Sequence, residues 1–395
     1  MIPGYYEFQN TVKICSGDRA LENISYELEE RNVSRPMILS DKVLENIGAV
    51  NTVLKAMMGT HPGFVFCDIP ADSSFEVVAR IASLYRQHRC DSVVAIGGGS
   101  VIDTAKGVCM AVGTHAKSLT EIMGMERLKQ WKRIPYIAIP TTSGTGSEVT
   151  SVAVISDTDH NVKAEFISRH LLPDVAILDA RMLATMPQRI TASTGMDALC
   201  HAIEAYSCLQ KNPLSDAYAV SAIKMISEYL PKAVKNGHNK EARLAMANAS
   251  LMAGTAFSNS MVGGVHAIGH ALGGICHVAH GDAMNILMPY VMAYNLDTCA
   301  QTYGELLLHF RGAEVYAATA PELRGKEMIR SVRRMSAWLN QVCHLPMTLA
   351  ETGKVDREQL RDVAEAAVND GAMIVNPKAM SAEDVFHILN QAYGA

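Results

Sequence analysis

The chain has 395 residues, 49% hydrophobic and 19% charged, with a formal net charge of -5. That length can bury a large core and makes two domains the natural prior, while the mild acidity gives no electrostatic case for nucleic acid or a membrane surface. No apolar run is long enough to span a bilayer, and the opening MIPGYYEFQN lacks a signal-peptide pattern. Nine scattered cysteines without a CxxC pair suit reduced thiols. The expectation is a cytoplasmic protein.

In chain order, residues 5–15 include an alternating piece that reads as an edge strand, followed by a polar helix from Ala20 to Asn32. Residues 35–41, RPMILSD, read as a short buried strand ending in Asp41. In an open α/β sheet ligands sit at strand carboxyl ends, so Asp41 reads either as a ribose acceptor or as the N-cap of a helix starting at Lys42. Further strands are expected at 64–67, 91–96, 134–139, 152–156 and 175–179, with a helix at 74–88. The third strand runs into Gly97-Gly98-Gly99-Ser100 and a helix from Val101, an arrangement that presents backbone N–H groups to a pyrophosphate. Ile102 stands where the dinucleotide fingerprint needs its third glycine, so a tight turn remains the alternative. After the fourth strand, PTTSGTGSE crowds hydroxyls beside glycines, which suits contact with phosphate, ribose or amide groups better than a solvated loop. Lys163 is either a ribose or phosphate partner or a solvated surface charge.

Past Met186-Pro187 the strand signals fade. Alanine-rich helical patterning takes over, in outline at 191–209, 213–230, 240–258, 264–276, 283–295, 325–343 and 357–369. The expected layout is an α/β N-terminal dinucleotide-binding domain over residues 1–185 and an all-α C-terminal metal- and substrate-binding domain over 186–395, with a cleft between them. In the helix at 193–208, Asp197 and His201 are four apart and share a face, although Thr194-Gly-Met-Asp197 also reads as a capping box. His266 and His270 repeat the spacing in a glycine-rich stretch that adds His277 and His280. Five histidines and one aspartate exceed what a core can satisfy, and together they point to a metal site. Spacing does not say which histidines are ligands. An oxygen with imidazoles and no thiolate suits Fe(II), Zn(II) or Mn(II).

Assembled, these motifs resemble the iron-dependent (group III) alcohol dehydrogenase family, which includes lactaldehyde reductase and 1,3-propanediol dehydrogenase. The resemblance covers nearly the whole chain. It is carried by GGGSVIDTAKG at 97–107, PTTSGTGSEVT at 140–150, TGMDALCHAIEAYSC at 194–208, and GGVHAIGHALGG with HVAHG at 263–281. It implies the dehydroquinate synthase-like, iron-containing alcohol dehydrogenase fold. It also implies metal ligands Asp197, His201, His266 and His280, with His270 near substrate and nicotinamide. Cofactor contacts are implied at Asp41, Gly98, Gly99, Ser100, Asp103, Thr141, Thr142, Ser147 and Lys163, with Leu178 packing nearby. An acidic residue at the Asp41 position goes with NAD(H) over NADP(H), because a carboxylate repels a 2′-phosphate.

One departure is visible: many relatives carry Pro-Asn-Pro where this chain has Pro70-Ala71-Asp72. The implied reaction is reversible hydride transfer between NAD(H) and a small alcohol or aldehyde at a divalent metal, Fe2+ first. His270 is the proton relay or substrate-orienting residue, and His277 a second relay candidate. Thr145, Met261 and segment 117–133 with Trp131 are candidates for the substrate pocket. A homodimer or larger homo-oligomer is expected. Two rival classes are a metal- and NAD-dependent lyase of dehydroquinate-synthase type and a non-catalytic NAD- or metal-binding module.

Overall fold

The computed structural model describes residues 3–116, 118–122, 131–158 and 162–394. The chain divides into two compact units, Gln9–Met186 and Met1–Phe8 with Pro187–Ala395. The division falls at Met186-Pro187, where strand patterning ends. Phe8 joins the helical unit by stacking on Tyr218, with ring centroids 5.8 Å apart.

The first unit runs β1 (Lys13–Ser16), α1 (Ile24–Glu30), β2 (Pro36–Leu39), α2 (Lys42–Asn46), α3 (Ala49–Ala56), β3 (Phe64–Phe66) and α4 (Phe75–Gln87). It continues with β4 (Ser92–Gly97), α5 (Gly99–Gly113), β5 (Tyr136–Pro140), β6 (Val152–Asp157), β7 (Val162–Ile167), β8 (Val175–Leu178) and α6 (Ala180–Leu183). Six strands form a sheet in the order β1-β8-β5-β4-β2-β3, every pair parallel. Parallel strands need helical crossovers that cover both faces, which explains why all six residues of β4 are buried. Val93 and Ala95 join the core on one face with Val78 and Ile81 of α4, while Val94 and Ile96 join the other with Val50 and Val53 of α3.

The order reverses at β2. The chain steps from β2 outward to β3, then crosses back to place β4 on β2's other side. Such a reversal leaves a crevice at the carboxyl ends of the two strands. Asp41 follows one of those ends and Gly98 the other.

The strand expected at 152–156 does not join this sheet. β6 pairs antiparallel with β7, which the sequence reading missed, in a separate hairpin. The burial of β6 alternates residue by residue, the pattern of a strand covered on one face only.

The second unit is helical: α7 (Gln188–Ser207), α8 (Pro213–Lys235), α9 (Lys240–Ser258), α10 (Gly264–Cys276), α11 (His280–Tyr294), α12 (Leu296–Arg311), α13 (Ala313–Ala318), α14 (Arg324–Cys343), α15 (Leu360–Ala367) and α16 (Ala382–Tyr393). α7 is its centre, with 15 of its 20 residues buried. Met196, Leu199 and Ile203 are each at most 1% exposed, a burial worth about 1.5–3 kcal/mol apiece. Small residues between them, such as Ala198 and Ala202, let α8 and α9 pack close. α8 starts at a capping box in which Asn212 accepts from Ser215 N–H and Ser215 Oγ accepts from Asn212 N–H, both at 3.0 Å.

The capping box read at Thr194 is overturned. α7 begins six residues earlier, after Pro187, and Thr194 lies inside it with its hydroxyl donating to Ile190 O at 2.8 Å. Asp197 is thereby an interior helical residue, one turn from His201. No helix among the described residues is long and apolar enough to cross a membrane.

Candidate active site

In the sheet unit the expected cofactor residues gather at the carboxyl edge. Ser40 Oγ donates to Ile96 O at 2.8 Å and Thr141 N–H to Gly97 O at 3.0 Å, so the ends of β2, β4 and β5 lie side by side. α5 begins at Gly99, two residues before the expected start, with Gly98 as its N-cap. Gly99 and Ser100 therefore occupy the first turn, where helical N–H groups lack intrahelical partners. A Cβ on Gly98 would stand 3.2 Å from Thr142 Oγ1, and one on Gly99 3.0 Å from Thr145 Cγ2. The glycines thus let the hydroxyl-rich loop close on the helix start. Ser143 Oγ, buried in that loop, has no hydrogen-bond partner among the described residues. Buried hydroxyls are rarely left so, and Ser143 stands in sequence between Thr142 and Thr145, the two residues that meet the helix start.

Other expected contacts are spent within the protein. Ser147 Oγ donates to Asp103 Oδ1 at 2.5 Å, and Asp103 Oδ2 accepts Val154 N–H at 3.1 Å. Lys106, fully buried, donates to Ser147 Oγ, Thr150 Oγ1 and Val152 O at 2.9, 3.0 and 2.6 Å. Burial pulls the Lys106 amine down to about 8, against the opposing pull of Asp103 and Glu148. Burial likewise pushes Glu148 up to about 7. This network pins the loop after β5 to α5.

Asp41 caps α2, its Oδ1 accepting Leu44 N–H at 2.8 Å. That is the second of its two expected roles, and Oδ2 is left over for the first. Ser100 Oγ donates to Ala71 O, so the divergent Pro70-Ala71-Asp72 loop lies against the glycine turn. Lys163, on β7, pairs with Asp72 at 2.9 Å. Leu178 is fully buried at the end of β8. Of segment 117–133, residues 117 and 123–130 lie outside the described residues; Trp131 packs on His170, ring centroids 5.0 Å apart.

In the helical unit three helices bring the four expected ligands together. Asp197 and His201 come from α7, His266 from the first turn of α10, and His280 is the first residue of α11. One ligand atom from each lies within 4.8 Å of the others. Asp197 Oδ1 is 3.7 Å from His201 Nδ1, 3.7 Å from His266 Nε2 and 3.4 Å from His280 Nε2. The approach of α11 depends on Gly281, where a Cβ would meet Ser193 O of α7 at 2.7 Å. His201 is sandwiched between the ring of Phe257 at 4.3 Å and that of His266 at 4.4 Å.

Two buried atoms of the cluster, Asp197 Oδ1 and His266 Nε2, have no hydrogen-bond partner among the described residues. Buried polar atoms are rarely left so, and a shared cation satisfies both. The electrostatics agree. Burial alone would raise the Asp197 carboxyl, yet His201 and His280 hold it well below the usual range. Burial lowers His280, while His266 is held high despite burial by Cys200, Asp197 and Glu204. The cluster thus favours positive charge beside the Asp197 carboxylate.

His270 stands beside this group, its ring 5.6 Å from His280 and 6.0 Å from His266. Its Nδ1 lies 2.9 Å from Asp370 Oδ2. His277 closes α10 in the left-handed conformation with an exposed side chain, and its carbonyl accepts from Lys354 Nζ at 2.7 Å. Met261, also left-handed, donates its N–H to Phe257 O at 2.6 Å.

The sequence reading missed Glu204 and Asp370. Glu204 was legible in principle: residues 197, 201 and 204 follow the i, i+4, i+7 rule of one helix face. Asp370 lies 100 residues from His270, and no local signal links them.

Residues 11–180 match the family model of iron-containing alcohol dehydrogenase, and residues 191–393 that of the Fe-containing alcohol dehydrogenase family, C-terminal. The chain belongs to the iron-containing alcohol dehydrogenases. It is similar to the NAD-dependent methanol dehydrogenase of Bacillus methanolicus, 34% identical over 95% of this chain and 97% of that one. It is also similar to the NADPH-dependent butanol dehydrogenase of Clostridium saccharobutylicum, 33% identical over 89% and 87%. Its fold superposes on a 1,3-propanediol oxidoreductase with a TM-score of 0.93 at 32% identity, covering 98% of this chain and all of that one. The protein is therefore an oxidoreductase that interconverts alcohols and aldehydes with a nicotinamide cofactor, which sets aside the lyase and the silent module.

Proposed function

We propose that this dehydrogenase prefers NAD(H) to NADP(H), uses Fe2+ as its native metal, and acts on a small alcohol or aldehyde. Asp197, His201, His266 and His280 would hold the cation, and their convergence with two orphaned buried atoms is the observation that carries the reading. Bound there, a divalent cation supplies Lewis acidity toward an alcohol or carbonyl oxygen, as the nicotinamide supplies the hydride acceptor or donor.

The chain's own groups do the rest. Backbone N–H groups of Gly99 and Ser100, with Gly98, receive the pyrophosphate at the start of α5. Thr141 and Thr142 offer hydroxyls beside that turn, and Lys163 a cation. Leu178 closes the apolar floor. Asp103 and Ser147 contribute by holding the loop that carries the threonines. Asp41 Oδ2 receives the ribose hydroxyl and repels a 2′-phosphate. His270, oriented by Asp370, takes or returns the proton of the substrate hydroxyl through Nε2.

On this reading residues 1–185 bind cofactor and residues 186–395 metal and substrate. We place the enzyme in the cytoplasm, in keeping with nine free cysteines. We further propose a homodimer or larger homo-oligomer, for which β1, the end strand of the sheet among the described residues, offers a pairing surface. The test is metal analysis of anaerobically prepared protein, combined with NADH and NADPH oxidation over a panel of small aldehydes. Zinc in place of iron, or faster turnover with NADPH, would overturn the corresponding part.

A further inference from the structure

Glu204 supplies none of the four clustered ligand atoms, yet it is buried on the face of α7 that carries Asp197 and His201. It binds the start of α10 twice. Oε1 accepts Val265 N–H at 2.7 Å, and Oε2 lies 2.5 Å from His266 Nδ1. A neutral imidazole donates from one nitrogen and accepts at the other, and a carboxylate can only accept. When a cation is held by the cluster the ring is neutral, and its one proton must then sit on Nδ1, which leaves the Nε2 lone pair to the cation on the side where Asp197 Oδ1 lies 3.7 Å away.

We propose that Glu204 is a positioning residue that locks His266 in its Nδ1–H tautomer and so sets the affinity of the cluster for a divalent cation, an inference that rests on the ligand set proposed above. Among the described residues no other acceptor stands as close to His266 Nδ1. Cys200 Sγ is 3.9 Å from Nδ1, too long for a strong partner. The cavity behind Glu204, lined by Ser207, Asn295, Tyr303 and Asn376, has a volume of only about 10 Å³, room for at most about one water. The other cap of this helix start is independent: Asn376 Oδ1 accepts Gly264 N–H at 3.0 Å and is held by Asn295 Nδ2 at 3.1 Å.

That independence gives the test. In Glu204→Gln the amide oxygen still accepts Val265 N–H, but the NH2 group now faces His266 Nδ1. The ring must accept there and carry its proton on Nε2, where the cation would bind. Asn376→Ala removes the other cap and leaves the lock intact. Each protein is stripped of metal, its Tm is taken by calorimetry, and Co2+ is titrated against a chelator while its d–d absorption is recorded.

Glu204→Gln is expected to keep an apo Tm close to the parent's while weakening Co2+ binding about 10- to 100-fold and changing the d–d spectrum. Asn376→Ala is expected to lower the apo Tm and leave the spectrum unchanged. Co2+ affinity in Glu204→Gln within twofold of the parent would overturn the lock. So would an equal loss of affinity in both variants, which would reduce Glu204 to a helix cap. His201→Ala separates the two layers of inference, because undiminished Co2+ binding there would sink the ligand set itself, whatever Glu204 does.

Discussion

His270 and Asp370 meet at 2.9 Å across 100 residues of sequence, with the carboxylate's other oxygen held by Ala372 N–H at 2.8 Å. The ring beside the metal cluster is thereby oriented from the C-terminal part of the chain. His270→Ala should lower kcat about 100- to 10,000-fold, the usual worth of a proton-transfer group, with bound metal per chain unchanged. Asp370→Asn should lower it about 10- to 100-fold. Steady-state kinetics with metal analysis of the same samples reads both; loss of metal in His270→Ala would make that residue a ligand.

Removing a ligand should act on stability as well as on activity. Asp197→Ala, His201→Ala and His266→Ala should each abolish turnover and leave the Tm insensitive to added metal. In the parent the Tm should rise with metal concentration, since a cation bound only by the folded state contributes about 4 kcal/mol at a thousand times its Kd. Calorimetry with and without chelator measures the difference.

Asp41→Ser tests cofactor choice without breaking α2, because serine caps a helix about as well as aspartate. The expected outcome is a ratio of kcat/KM for NAD(H) over NADP(H) reduced about tenfold or more, a loss of at least about 1.4 kcal/mol of discrimination, with an unchanged Tm. An unaltered ratio would leave Asp41 as a cap alone.

Asp179 predicts a pH dependence. Burial would raise its carboxyl, but Arg181 through its side chain and N–H, and Leu21 N–H, together hold it below 3.8. A carboxyl whose folded value is depressed adds stability that is present above the unfolded value and lost as pH falls through the folded one. Asp179→Asn should cost about 2 kcal/mol at pH 7, the scale of hydrogen bonds to a charged group. The gap should narrow below about pH 4. Urea midpoints at pH 7 and pH 3 compare the two; an equal gap at both would remove the charge from the explanation.

Much of this was legible because local chemistry and final position coincide. The apolar run at 93–96 reads as a strand buried on both faces, and α9 and α10 run over the same residues in sequence pattern and structure. Asp197 and His201 are read from helical spacing alone. What escaped depends on distant partners. β7 is defined by β6 and not by its own pattern, and Asp370 gains its meaning only from His270. The start of α11 is set by packing on α7, which turns His280 from a loop residue into a helical one. Glu204 sits inside a quoted motif, but nothing local says that its partner is the ring of His266, three helices on.

Gly281 carries a final consequence, for mutational tolerance. A Cβ on Gly269 would collide with Met284 Cε, the movable tip of a side chain, whereas at 281 the obstacle is the main chain of Ser193. A side chain can swing aside, but α7 cannot yield without carrying Asp197 with it. Gly281→Ala should therefore lower metal occupancy more than Gly269→Ala does, as metal analysis of the two proteins can read. Position 281 is closed to sequence drift by a carbonyl that has nowhere to go, although Gly281 itself supplies no ligand atom to the cluster.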